Sequence, residues 1–190
     1  MSKPILFISE QTLKNTSMLS GNVDPKLLMP TVKAVQDRYI LPLLGTRLYN
    51  KLQDLVLNNT VVAGPYKDLL DDYIADVQVW YTLADMPYPL RYKMINKGVV
   101  TREGEAIQTV SATDVERLMA YCSNYAQYYA ERTIEYLRAN TSLYPEYINP
   151  GATSDTIRPD YTQYVGGIYL GGGSDNCDYS SKYGGGTSPQ

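Results

Sequence analysis

The chain has 190 residues, 44% of them apolar, a net charge of −3 and a pI near 5.0. That suffices for one compact domain and gives no electrostatic support to wrapping nucleic acid. No apolar run approaches the ~18 residues that span a membrane. Met1-Ser2-Lys3-Pro4 lacks the apolar core of a signal peptide, which predicts a chain made and used in a cytoplasm, or carried in a particle assembled there.

Residues 4–8 (Pro-Ile-Leu-Phe-Ile) read as a short extended entry. Ser9 is placed to cap a brief helix, with Thr12 three positions on. Asp24-Pro25 starts a second helix, Asp as cap and Pro at the first helical position. Leu28, Val32, Val35 and Tyr39 recur at helical spacing, Pro30 should kink or delay this run, and Pro42 should end it. Leu43-Leu44-Gly45 reads as a tight turn, and Thr46 as the cap of a third segment carrying Leu48, Leu52, Leu55 and Val56.

Gly64-Pro65 opens a long helix whose apolar face runs from Tyr66 through Trp80 to Ala84, with Pro87 and Pro89 terminating it. Leu90 to Ile95 reads as one or two further helical turns. Between 96 and 112, Val99-Val100-Thr101 and Ile107 to Ser111 are β-prone and Glu103-Gly104-Glu105 is turn chemistry, predicting a projecting hairpin or loop. Thr113-x-x-Glu116 matches a capping box for a second long helix to about Ala139. Val115, Leu118, Cys122, Tyr125, Tyr129, Thr133 and Tyr136 are the expected seam against the first long helix, and Asn140 should end it. The expected fold is mainly α: a bundle with two long antiparallel helices, a hairpin at about 96–112, a helical domain over 1–148 and an extended C-terminal arm over 149–190.

The arm is the least ordinary stretch. Nine of the fourteen glycines lie in residues 151–190, where Ile157, Val165, Ile168 and Leu170 are the branched aliphatics. So few apolar side chains cannot offset the backbone entropy of ordering. A partner chain is therefore expected to hold it, with Tyr161, Tyr164, Tyr169, Tyr179 and Tyr183 as anchors. The Gly166–Gly173 run lacks the Gly-Lys-Ser/Thr ending of a phosphate loop and reads as backbone lying close against a neighbour. Val99, Val100 and Ile107 are further interface candidates.

Histidine is absent, which removes the commonest general base, the commonest metal ligand and any Ser-His or Cys-His pair. The two cysteines, Cys122 and Cys177, form no CxxC, excluding zinc-knuckle and thioredoxin motifs. Nineteen tyrosines stand against one Phe and one Trp, a composition that suits half-buried surfaces and equally a core in which Tyr replaces Phe. Asp68, Asp72 and Asp76 recur every four residues as an acidic stripe, which is either a solvated helix face, a divalent-cation site or a surface repelling a polyanion. Glu103 and Glu105, two apart on a turn, are solubilising charges rather than a glycosidase pair. Arg91, Lys93, Lys97 and Arg102 with Tyr88 and Tyr92 form a loose basic cluster, either an ordinary charged loop or a grip for phosphate or an acidic partner. No catalytic residue, metal or cofactor is expected.

Val23-Asp24-Pro25, Ala34-Val35-Gln36-Asp37, Ile40-Leu41-Pro42-Leu43-Leu44-Gly45-Thr46, Asn96-Lys97-Gly98-Val99-Val100, Tyr136-Leu137 with Asn140, and Tyr144-Pro145-Glu146-Tyr147 occur in that order. This order resembles the head–tail connector (adaptor, or head-completion) proteins of tailed bacteriophages, in the version found in phages of Bacteroides-type hosts, including crAss-like phages. The resemblance spans roughly residues 5–148, and the Gly/Tyr arm departs from the compact connector pattern. It implies a non-enzymatic ring subunit in the virion neck, twelve copies docking under a dodecameric portal and giving the tail, or a second ring, a platform. Packaged DNA would pass without specific binding, the acidic stripe Asp68, Asp72 and Asp76 facing the lumen. Other expectations are a different ring, tail-completion or capsid-auxiliary protein, or a carboxylate- and metal-dependent enzyme.

Overall fold

The computed structural model describes residues 5–19, 22–58, 60, 63–96, 98–101, 111–149 and 156–159. The architecture is mainly helical. In chain order it has α1 (Glu10–Thr16), α2 (Pro25–Val35), α3 (Leu41–Leu57), α4 (Pro65–Leu69), α5 (Ala75–Asp85), α6 (Pro87–Arg91), strands β1 (Tyr92–Ile95) and β2 (Gly98–Thr101), α7 (Ala112–Ala139) and α8 (Pro145–Ile148). π-helical turns over Gln36–Ile40 and Leu70–Ile74 join α2 to α3 and α4 to α5.

The first two starts are the expected ones. Ser9 Oγ accepts from Thr12 N at 3.0 Å, and Asp24 Oδ1 accepts from Lys26 N at 2.9 Å with Pro25 at the first helical position. Pro30 lies inside α2, where it forgoes one backbone bond, and the helix runs on to Val35. Pro42 does not end its helix. Its missing N–H and its ring are accommodated by the preceding π-turn, in which Leu41 N bonds Gln36 O. The break comes instead at Gly45, with φ +74° and ψ 156°. Pro87, by contrast, does mark the end of its helix: α5 stops at Asp85 with Met86 as C-cap, and Pro87 and Pro89 lie in the separate short α6, where Pro costs little in a first helical turn.

Two further expectations are corrected. α7 is capped by Ser111, not Thr113. Ser111 Oγ accepts from Asp114 N at 3.2 Å and donates to Asp114 Oδ2 at 2.7 Å, a side-chain cap at Ser111. Residues 92–95 are a strand, not a helical turn. They pair antiparallel with 98–101, in the register Tyr92–Thr101, Lys93–Val100, Met94–Val99 and Ile95–Gly98. A two-residue connection at 96–97 is the shortest hairpin closure, and the expected β-prone stretch from Ile107 lies outside the described residues up to 110.

The core has two parts. One gathers Ile40, Leu44, Leu48, Leu52, Ile74, Val77 and Leu137 with Tyr144 and Tyr147. The other gathers Leu13, Leu28, Val32, Leu83, Met86 and Cys122, and Trp80 packs against both. α5 and α7 form the largest helix contact. The buried positions of α7 are Cys122, Ala126, Ala130, Thr133, Ile134 and Leu137. The expected seam is therefore displaced: small residues every four positions let the helices approach closely, and the larger Leu118 and Tyr125 are left exposed. Aromatic rings meet across the bundle: Tyr66 and Tyr144 edge-on, Tyr73 stacked on Tyr136, and Trp80 stacked on Tyr125.

A buried amide ties the N-terminal segment down. Gln36 accepts from Phe7 N at 2.9 Å and from Gln78 Nε2 at 3.1 Å. Its own amide donates to Ile5 O at 2.9 Å and to the Tyr49 hydroxyl at 3.0 Å. The Ile5 carbonyl and the Phe7 N–H, which pair with no strand, are thereby satisfied by one side chain.

Candidate assembly surfaces

Three features stand out: the segment 156–159 held against α3, an aromatic face on α7, and the acidic residues from Asp68 to Asp76. The arm root starts from the break in α3. A helix that restarts after Gly45 exposes first-turn N–H groups without intrahelical partners. Thr46 N finds its acceptor in Ile157 O at 3.0 Å, and Ile157 N returns the bond to Thr46 Oγ1 at 2.8 Å. Arg47 adds a bond from its guanidinium to Asn149 O at 2.9 Å. Pro159 is buried over Gly45, and a Cβ there would lie 2.8 Å from the Pro159 ring. Residues 156–159 are thus held by their own chain, although the expected arm begins at 149.

Below the root, Tyr144 and Tyr147 are fully buried. Tyr144 donates to Pro65 O at 2.7 Å, tying the turn after α7 to the start of α4, and its phenol is pushed far up, first by burial and then by Tyr136. Tyr66 donates to Glu146 Oε2 at 2.9 Å. Burial, with that carboxylate second, pushes the Tyr66 phenol up to about 12.

The aromatic face is a stripe on the N-terminal half of α7. Leu118, Tyr121, Tyr125 and Tyr128 lie three or four apart, and Tyr121 and Tyr128 are 49% and 61% exposed. Behind them Trp80 stacks on Tyr125 at 4.7 Å and meets Tyr121 edge-on at 6.3 Å. The inner ring thus holds these two outer rings in place. Helical spacing alone assigned Tyr125 to the seam. The Cys122/Ala126/Ala130 spacing of small residues is the signal that would have turned it outward.

The acidic residues do not form one uniform row. Asp68 and Asp72 are exposed, whereas Asp76 is half-buried. The π-turn over Leu70–Ile74 inserts an extra residue, which rotates the downstream positions by about 100° against the α-helical register. Burial pushes the Asp76 carboxyl up, and Arg132 beside it draws it back down. The same Arg132 guanidinium lies 4.8 Å above the Tyr73 ring. Asp71 is paired with Lys67. Among the described residues no group of three or more His, Cys, Asp or Glu is arranged to hold a metal ion.

A small open cleft of about 110 Å³, lined by Arg38, Tyr39, Pro42, Leu43, Tyr81 and Ile134, was not foreseen. Tyr39 stacks on Tyr81 at 3.9 Å and Arg38 lies 5.0 Å from the Tyr39 ring. Burial raises the Asp85 carboxyl and Arg38 lowers it.

Of the expected interface residues, Val99 and Val100 lie in β2. Ile107, Tyr161, Tyr164, Tyr169, Tyr179, Tyr183 and Cys177 lie outside the described residues, as do Lys97 and Arg102 of the basic cluster. Arg91 remains with its guanidinium 5.7 Å from the Tyr92 ring. Among the described residues no helix is long and apolar enough to cross a membrane.

Comparison with curated proteins and with solved structures returned no match. A family model matches residues 40–157, from the π-turn before Leu41 through the Ile157 that pairs with Thr46, and on that match the chain belongs to DUF6712, a family of unknown function.

Proposed function

We propose that the chain is a structural ring subunit of a virion, a head–tail connector that docks under the portal and presents a platform to the tail or to a second ring. The observation that carries the proposal is the combination of an anchored arm root with an outward aromatic stripe. Thr46 and Ile157 hold the start of the arm at a fixed point, and Leu118, Tyr121, Tyr125 and Tyr128 offer an apolar face of the chemistry that interfaces favour. A subunit in a closed ring uses two different patches, one against each neighbour, and this chain offers two. The order of the motifs from Val23 to Tyr147 supplies the identification of the ring as a connector.

In this arrangement the helices, with α5 and α7 antiparallel, form the body of a ring of twelve copies. The hairpin and the arm reach portal, neighbour or next ring. Asp68 and Asp72 face the channel, where carboxylates keep passing DNA from adhering. The chain resides in the neck of the particle after assembly in the bacterial cytoplasm and acts without cofactor or catalytic residue.

The test is imaging of the purified full chain, alone and with a candidate portal, by electron microscopy with native mass spectrometry. Rings of one defined rotational symmetry that bind the portal are expected. A chain that stays monomeric across micromolar to millimolar concentrations and ignores the portal would overturn the proposal.

A further inference from the structure

Resting on the ring proposal, we infer that the aromatic stripe of α7 is the seat of residues 160–190 of a neighbouring copy. The segment leaves the described residues at Pro159, which is buried against Gly45, so its origin is fixed. From there residues 160–190 reach up to ~100 Å at about 3.3 Å per residue, enough to cross to an adjacent subunit. Their composition selects the seat. The segment carries five tyrosines and only Val165, Ile168 and Leu170 as branched aliphatics, so its main means of burying apolar area is through phenol rings.

The domain already joins its own elements by stacked tyrosines. Tyr39 on Tyr81 lies at 3.9 Å with planes 6° apart, and Tyr73 on Tyr136 at 4.0 Å with planes 17° apart. The stripe extends that pattern to the surface, since Tyr121 and Tyr128 are held by Trp80, Tyr125 and Tyr129 and still expose about half of their area. Incoming tyrosines would stack there, and the glycines between them allow the backbone to lie close to the helix. The phenol hydroxyls on both sides stay at the rim, where water or main chain satisfies them.

The native Cys177 of the segment makes the test direct, since Cys122, on the other side of α7, is buried. Full-length Tyr128→Cys, prepared as two differently tagged populations and mixed, is treated with a short bismaleimide. The expected product joins one tag to the other, maps to position 128 and Cys177, and disappears in Cys177→Ser. Lys51→Cys, on exposed α3 surface, should give none. Tyr121→Ser with Tyr128→Ser should keep the helical circular-dichroism signal and weaken self-association about tenfold or more in sedimentation velocity. A link formed only within one copy, or no link in a chain that does assemble, overturns the inference and leaves the ring proposal standing. A chain that sediments as a monomer at every concentration overturns both.

Discussion

Gly45 and Gly64 both occupy backbone regions that side-chain-bearing residues rarely enter, at φ +74° and φ +94°, but their surroundings differ. A Cβ at Gly64 meets nothing within 4 Å, while one at Gly45 meets the Pro159 ring at 2.8 Å. Gly64→Ala should therefore cost the backbone term alone, about 1–3 kcal/mol. Gly45→Ala should cost more, because Pro159 must also move. Urea unfolding of the two variants measures the difference, and equal losses would mean that the arm root contributes nothing. Two tyrosines should make stability fall at alkaline pH. Tyr49 and Tyr66 are both pushed up to about 12, mainly by burial. Unfolded tyrosine titrates near ~10, so the unfolded chain releases protons first and the stability from these groups is complete below pH ~10 and lost between ~10 and ~12. Tyr66→Phe, which removes a bond to a carboxylate, should cost about 1–2 kcal/mol at pH 7 and make the alkaline decline shallower.

At the scale of elements, the structure depends on where helices start and how closely they pack. Ser111 caps α7, so Ser111→Ala should lower stability by about 1 kcal/mol, while Thr113→Ala should stay within about 0.5 kcal/mol. The reverse order in thermal melts would restore the Thr113 cap. Ala126 and Ala130 are buried where α7 meets the rest of the bundle. Ala126→Leu should force the helices apart and destabilise by about 1–3 kcal/mol or more, an effect Ala120→Leu on the exposed side should lack. The elements also show what the sequence pattern conveys. The cap at Ser9 and the Asp24-Pro25 start were legible because capping is decided within three or four residues. The displaced α7 seam was not, because tyrosine fits both a core and a surface, and which ring turns inward depends on the facing helix.

On the scale of the whole molecule, residues 156–159 pack on the helical body. The Thr46–Ile157 pair and Pro159 belong to the folded body. A chain ending at 159 should keep the full chain's melting midpoint in dilute solution, whereas one ending at 150 should melt several degrees lower. If both melt alike, the root contacts are dispensable. In the ring proposal neither truncation should assemble, which separates the stability role of 156–159 from the assembly role of 160–190.

The sequence by itself determined that this is a mainly helical chain with local helix starts at Ser9 and Asp24 and a stop at Asn140. All of these rest on interactions a few residues apart. Only the tertiary structure decided that Pro42 lies directly behind a π-turn, that Gly45 breaks α3, that Gln36 pins residues 5–7, that Asp76 is half-buried while Asp68 and Asp72 are exposed, and that Tyr121 and Tyr128 face outward. These are set by contacts between groups far apart in the chain. The Ile157 that completes the helix start at Thr46 lies so far along the chain that no local pattern could announce it.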